Sequence, residues 1–448
     1  MGRKLIFKHI STRPYCVWEY IADSTVKQLV LVEPDVRQRL LTDLLSMVGE
    51  RGCRIELTRS ENIETLLNIV KGHGVSAVEA ELAAQIVMRT YSGADHSGRD
   101  VVHLALALVV DPKMTPEITN WAATKLAYFI SLNGKERLVI RAAIRSLIAV
   151  LKSEPTTRQG VAVTEVLSKI TELSVVDQRL FIDSGGLPLF VSMLRNSDTP
   201  LNSKELIVTT FSQIGLFFRS REAMSEAGVI SALVDQPPTI ELAKSTLKVF
   251  VHMSYSPDMH HRLIDAGVVQ SIHRIIAQQG VTRNWKYSAT CVLVELAKRP
   301  ETREAMPLVS TVDLALALLD YRDDTKLAQI TALIAMGYLA ESRRFATQII
   351  QRNGHVRVLR YLQDPWWHRI ALEPAAKVVA NLTGYHMGRV ALLHAGGWPA
   401  LQALPWINPD RRYGLFNLTI MPIVEWLVEH GILNNASKIL GKTGPFDF

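Results

Sequence analysis

The stretch 177–200, DQRLFIDSGGLPLFVSMLRNSDTP, decides how the rest of the chain reads. A short amphipathic helix runs to Ser184-Gly185-Gly186, where glycine frees the backbone to turn sharply. A second apolar-periodic helix follows from Leu187 to about Leu194. Residues 203–218, SKELIVTTFSQIGLFF, supply a third. The order is short helix, glycine turn, helix, polar loop, longer helix.

A repeat is tested by recurrence, because each unit buries its open face only against its neighbours. The turn and the helix after it return at Gly228 (EAGVISALV), Gly267 (DAGVVQSIHRII), Thr311 (LVSTVDLALALL), Gly354 (RNGHVRVLRYL), Gly397 (HAGGWPALQAL) and Gly431 (EHGILNNASKIL). From Gly186 the steps are 42, 39, 44, 43, 43 and 34 residues. Upstream, without the glycine, the same helix recurs near Ala143, Asp100 and Ser60, at steps of 43, 43 and 40. This unit resembles an armadillo repeat. The resemblance implies an all-α fold, a right-handed superhelical α-solenoid of about nine to ten three-helix repeats.

Composition agrees. Hydrophobic residues at 48% against 21% charged exclude general disorder, and no Ser, Gln or Pro tract marks a linker. Residues 1–56 read as a basic arm and a helical cap, 57–440 as repeats with an irregular insertion at about 398–422, and 441–448 as a tail. Pro34 opens the cap's second helix, and a polar-faced terminal unit is expected there because a bare repeat end would expose apolar surface.

Lys plus Arg number 50 and Asp plus Glu 43, a net charge of +7. That balance favours an acidic partner, a membrane surface or a basic compartment. No Lys/Arg block of five occurs, so no specific nucleic-acid partner is expected. Cys16, Cys53 and Cys291 form neither a zinc pattern nor a disulfide framework, which fits an intracellular, reducing location. No stretch has the eighteen or so uncharged apolar residues of a transmembrane helix; 206–218 and 413–424 read as buried repeat helices. Peripheral association with a membrane complex remains compatible. The first eighteen residues carry Arg3, Lys4, Lys8 and Arg13 and no acid, the bias of a mitochondrial targeting segment. An ordered basic arm fits them as well. Ile6 stands where a myristoylation signal needs Ser or Thr.

Chemistry-bearing motifs are few. Gly72-His73-Gly74-Val75-Ser76-Ala77 has the letters of a dinucleotide fingerprint but follows a helix instead of a strand, and reads as a turn. Gly441-Lys442-Thr443 lacks the earlier glycine of a phosphate loop. His260 and His261 point about 100° apart on a helix and make no metal pair. No catalytic residue, cofactor or metal is expected.

In armadillo proteins the third helices line the concave face, where partner peptides lie. Carried onto this sequence, that implies one lining row of Arg89, Phe129, Lys169, Gln213, His252, Glu295, Tyr338 and Asn381. The row one turn earlier is Gln85, Lys125, Glu165, Thr209, Lys248, Cys291, Ile334 and Lys377. Importin-α-like proteins carry Asn in the first row and Trp in the second; here only Asn381, in VVANLTG, matches, which points away from a nuclear-import receptor. The expected partner-binding residues are Arg89, Lys125, Lys169, Gln213, Lys248, His252, Tyr338, Lys377 and Asn381, a net basic set suited to an acidic protein partner. Two outer features also qualify. Arg137, Arg141 and Arg145 form a basic stripe at four-residue spacing, and Trp366 and Trp367 sit in a loop where aromatic anchors are unusual.

The function expected is a non-catalytic scaffold or adaptor, a structural subunit of a larger assembly, in the mitochondrion or otherwise in the cytoplasm. The alternative is a peptide or cargo receptor binding an extended segment in the groove.

Overall fold

A computed structural model describes residues 14–397, apart from 58, 72–74, 91–98, 112–113, 132–135, 154, 238, 320–325 and 364–370. Among the described residues there are twenty-five α-helices, one 3-10 turn and no strand. The chain divides into two compact units, Met1–Ile214 and Gly215–Phe448. The insertion at 398–422, the Gly431 helix, the tail at 441–448, Trp366 and Trp367 lie outside the described residues.

In the first unit α1 (Pro14–Leu29), α2 (Pro34–Met47) and α3 (Arg51–Leu57) pack together. Pro34 occupies the first turn of α2, as expected. They precede α4 (Ser60–Lys71) and α5 (Ala77–Thr90). Ser76 and Glu79 form a capping box at the start of α5. Glu79 Oε2 accepts from Ser76 N (2.8 Å), and Glu79 N donates to Ser76 Oγ (3.2 Å). Ser76 and Ala77, the last two residues of the fingerprint stretch, thus open a helix, while Gly72-His73-Gly74 lie outside the described residues. Arg37 locks the cap by donating to Leu29 O and Val32 O while lying 3.5 Å from Glu79 Oε1. The outer turn is not polar, however. Tyr20, Val30 and Val36 are exposed and Leu31 is 82% accessible.

Two long helix pairs follow, α6 (Arg99–Val110) with α7 (Pro116–Ser131), then α8 (Glu136–Ser153) with α9 (Arg158–Leu173). Next comes the stretch that decided the reading, as α10 (Val175–Asp183), α11 (Gly186–Arg195) and α12 (Leu201–Gly215). Ser174 caps α10 through Val176 N at 3.1 Å. The turn falls one residue before its expected place. Gly185 takes φ +80°, while Gly186 opens α11 so tightly that a Cβ there would stand 2.3 Å from the Phe181 ring. Phe181, Phe190 and Phe211 are fully buried, with ring centroids 5.0 and 6.3 Å apart. Each such side chain contributes about 1.5–3 kcal/mol of hydrophobic stabilisation.

The second unit repeats this plan. Its triplets are α13 (Phe218–Glu226), α14 (Val229–Asp235) and α15 (Ile240–Ser254), then α16 (His260–Asp265), α17 (Val268–Ile276) and α18 (Arg283–Lys298). A 3-10 turn, Pro257–Met259, leads into α16. There follow α19 (Pro300–Ala305), α20 (Leu308–Leu319) and α21 (Lys326–Ala340), then α22 (Arg343–Gln351), α23 (Gly354–Gln363) and α24 (Leu372–Thr383), with α25 (His386–His394) opening another. The left-handed turn residue is Gly228, Gly267, Asn353 or Gly396. Around Thr311 an extended Met306 before Pro307 replaces it. Third helices lie side by side, α15 on α18, α18 on α21 and α21 on α24.

The broken helices need partners for their last carbonyls, and one position supplies them. In five of the six first helices one residue, the fourth of the helix or in α16 the first, reaches back to the end of the helix before; α22 has Ala346 at that place. Gln178 Nε2 donates to Thr171 O (2.8 Å), Arg221 Nε to Gly215 O (2.9 Å) and Arg389 Nη1 to Thr383 O (2.7 Å). His260 Nε2 meets Ser254 O at 2.7 Å, and Arg303 Nη1 donates to Ala297 O at 3.2 Å.

Candidate protein-binding face

The third helices of the second unit carry a continuous polar strip over a buried base. On α15 Lys244 and Lys248 are exposed and His252 is half-buried, and exposed Tyr255 caps its C-terminal end. On α18 the strip continues through Tyr287, Cys291 and Glu295, on α21 through Ile334 and Tyr338 to Glu341 just past its end, and on α24 through Lys377 and Asn381. Beneath it Val249, Phe250, Leu293, Leu333 and Val378 are closed to solvent. The 43-residue steps from Lys248 to Cys291, Ile334 and Lys377 keep equivalent residues at one level of neighbouring helices.

Several of these groups are already engaged. Lys377 Nζ lies 4.4 Å from the Tyr338 ring centroid and 3.5 Å from Glu341 Oε1. Glu341 Oε2 accepts from buried Arg303 at 2.9 Å, and the same Arg303 Nη1 donates to Tyr338 O at 2.9 Å. Asn381 Nδ2 donates to Gly337 O at 2.8 Å, which ties α24 to α21. Burial pushes the Cys291 thiol above its ordinary range, against a hydrogen bond from Tyr287, so it is not an activated nucleophile. Lys244 and Lys248 make no ion pair among the described residues.

In the first unit Arg89 is exposed on α5, Lys125 half-buried on α7, and Gln213 half-buried on α12. Lys169 is exposed on α9 but bonded to Glu172 at 3.0 Å. Gln213 Oε1 is enclosed without a hydrogen bond among the described residues. Arg145 is exposed on α8; the side chains of Arg137, Arg141 and Phe129 lie outside the described set. Among the described residues no cluster of His, Cys, Asp or Glu could hold a metal, and no helix is long and apolar enough to cross a membrane.

Sequence reasoning missed Arg303, Glu341, Tyr255 and Tyr287. Periodicity offered a signal for Arg303, which shares its place with Gln178, Arg221, His260 and Arg389 at steps of 43, 39, 43 and 86. It also misjudged 216–218. The third helix stops at Gly215, because Arg221 captures Gly215 O and, at 3.4 Å, Leu216 O. Leu216 and Phe218 are 58% and 69% exposed instead of buried.

Comparison with solved structures agrees with this plan. An engineered protein solved by the Northeast Structural Genomics Consortium superposes over 90% of this chain and 98% of its own, at TM-score 0.60 and 18% identity. The fold is an armadillo-like helical repeat. Partial likenesses include a designed armadillo repeat protein in complex with the peptide (KR)4, with 14% identity, 52% of this chain, 98% of that chain and TM-score 0.45. Computationally designed armadillo repeat proteins for modular peptide recognition match at 14% identity over 53% of this chain and 99% of that chain, TM-score 0.46. No family model matches the chain, and no curated protein matches it.

Proposed function

We propose that this protein is a non-catalytic scaffold that binds an acidic protein segment on its third-helix faces, as a structural subunit of a larger assembly. The observation that carries the reading is the strip on α15, α18, α21 and α24, where accessible polar and aromatic side chains recur at one level over a closed core. Such a surface presents side chains to a partner without spending the fold's own stability. Among the described residues no acid pairs with Lys248, so a partner carboxylate gains a charge pair there without breaking one. The excess of seven positive charges also fits a basic compartment such as the mitochondrial matrix.

Purification from the native source, with mass spectrometry of what travels with the chain, should yield a constant stoichiometric complex. A loose, exchanging set of clients would instead support the receptor reading. With the partner in hand, reversing Lys169 and Lys248 together to Glu should weaken binding by on the order of 1–3 kcal/mol and leave the melting temperature nearly unchanged. Loss of the partner on reversing Arg137 and Arg141, with the Lys variant unaffected, would move the site to the outer face and sink the proposal.

A further inference from the structure

At one end of the strip stands a surface that the polar reading leaves unexplained. Leu216 is 58% exposed, Phe218 69% and Tyr255 53%, with Phe217 beside them. Their base is rigid. Buried Arg221 donates to Gly215 O at 2.9 Å and to Ser256 Oγ at 2.7 Å, so the turn that carries Leu216–Phe218 is clamped to the turn that carries Tyr255. Exposed apolar groups gathered on a rigid base mark interaction surfaces more often than isolated ones do.

The patch continues into charge. Lys248 and His252 on α15 and its helical C-cap Tyr255 follow one another at four and three residues, which places them on one helix face. Lys244 extends that line by a further turn. Two lysines four residues apart repel each other unless an acid answers them, and no described acid does. At the other end burial, then Cys291, then Glu295 raise the Tyr255 phenol above the ordinary range, with Arg221 opposing. A partner's acid is therefore drawn to the lysine end, and its apolar side chain to the aromatic end.

We infer that this surface docks one extended partner segment in which an acidic residue and a large apolar side chain stand about three residues apart. The spacing follows from the helix: seven residues from Lys248 to Tyr255 rise about 10 Å, which an extended chain covers in about three. The inference rests on the proposed third-helix binding and names its partner's chemistry.

The test uses the full chain and fluorescein-labelled twelve-residue Gly/Ser peptides that carry an Asp-Asp pair and one Phe, separated by zero, three or eight residues. Fluorescence anisotropy should show tightest binding at three. Replacing the peptide Phe by Ser should weaken it about tenfold, the scale of one interface anchor. The chain variant Phe218→Ser should bind Phe and Ser peptides alike, and Lys244→Glu with Lys248→Glu should lose the dependence on the Asp pair. Circular dichroism melts should be unchanged for both variants, since the altered side chains are exposed. If the wild-type chain shows no preference for Phe, or Phe218→Ser keeps it, the anchor is refuted. When the lysine variant alone loses the peptides, third-helix binding stands and the anchor falls; when neither variant changes binding, both fall.

Discussion

The helices from 99 to 173 and those from 175 to 394 solve one packing problem in two ways. In the first region α8 runs unbroken for eighteen residues before α9 turns back against it. In the second, a span of similar length is cut into two short helices, α10 and α11, at Gly185. No residue from 14 to 184 takes a left-handed turn among those described, whereas Gly185, Gly228, Gly267, Asn353 and Gly396 all do. A left-handed residue other than glycine costs roughly 1–2 kcal/mol, and α8, which has no glycine within it, stays helical throughout. Asn353 manages the turn at φ +57°, as its short polar side chain allows.

Cutting a helix exposes more ends, and each end leaves carbonyls without partners. The cut region therefore needs donors that the uncut region does not. Gln178, Arg221, His260, Arg303 and Arg389 provide them, and Arg303 serves two helix ends and Glu341 at once. If donors are what the cut costs, Arg303→Met should destabilise the protein by about 2–4 kcal/mol, since it strands buried acceptors and leaves Glu341 with Lys377 as its one cation among the described residues. Gln159→Met, which removes the bond to Val109 O between α9 and α6, should cost about 0.5–1.5 kcal/mol. Urea denaturation compares the two. Equal losses would erase the distinction between the regions.

The repeat was legible because its signal is carried by apolar period and glycine, both local. Gly228 and Gly267 turn where the sequence places them, and α11 spans Gly186–Arg195 against an expected 187–194. What was illegible depended on tertiary partners. Nothing in SQIGLFF says that the helix must stop at Gly215; that is decided by a guanidinium six residues on. The lining rows reach the accessible face of the second unit, but sequence could not show that Lys377 is held by Tyr338 and Glu341, or Asn381 by Gly337 O. Charge on a row is visible in sequence, whereas its availability to a partner is not.

A second way to press the comparison is to remove a turn. Gly267 takes φ +82°, with Gln270 and Val234 the nearest groups to a Cβ, so the obstacle is backbone conformation more than space. Gly267→Val should cost on the order of 1–2 kcal/mol. Because repeats are coupled chiefly to neighbours, hydrogen exchange should quicken between residues 225 and 310 and little elsewhere. Uniform quickening along the chain would mean that the repeats are not locally coupled. Ala143→Gly in α8 is the matched control, costing about 1 kcal/mol by helix propensity without creating a turn.

The smallest effect comes from one of the donors itself. A carbonyl only accepts, so His260 Nε2 must carry the proton that it gives Ser254 O, and Nδ1 is left bare, buried and without a partner. Protonating Nδ1 would bury a cation there. Burial lowers the His260 pKa, with Arg299 and His261 adding to the shift while the Ser254 bond and Glu295 oppose it; burial lowers that of His355 too. A folded-state pKa below the unfolded one means that the contribution is complete above about 6.5 and drains as pH falls through the folded value. Each ring can contribute a slope of at most about 1.4 kcal/mol per pH unit. Glu56, in the first unit, carries the opposite sign. Burial raises its carboxyl, so its contribution grows only as pH falls into the carboxylate range. Between pH 7 and 5.5, hydrogen exchange corrected for intrinsic rate should therefore quicken around residues 250–300 and hold steady around 50–60. Gln178 shows that a neutral amide can serve this same position, so His260→Gln should keep the cap and flatten the acid response of its repeat. An equally acid-sensitive His260→Gln would place the sensitivity on other groups.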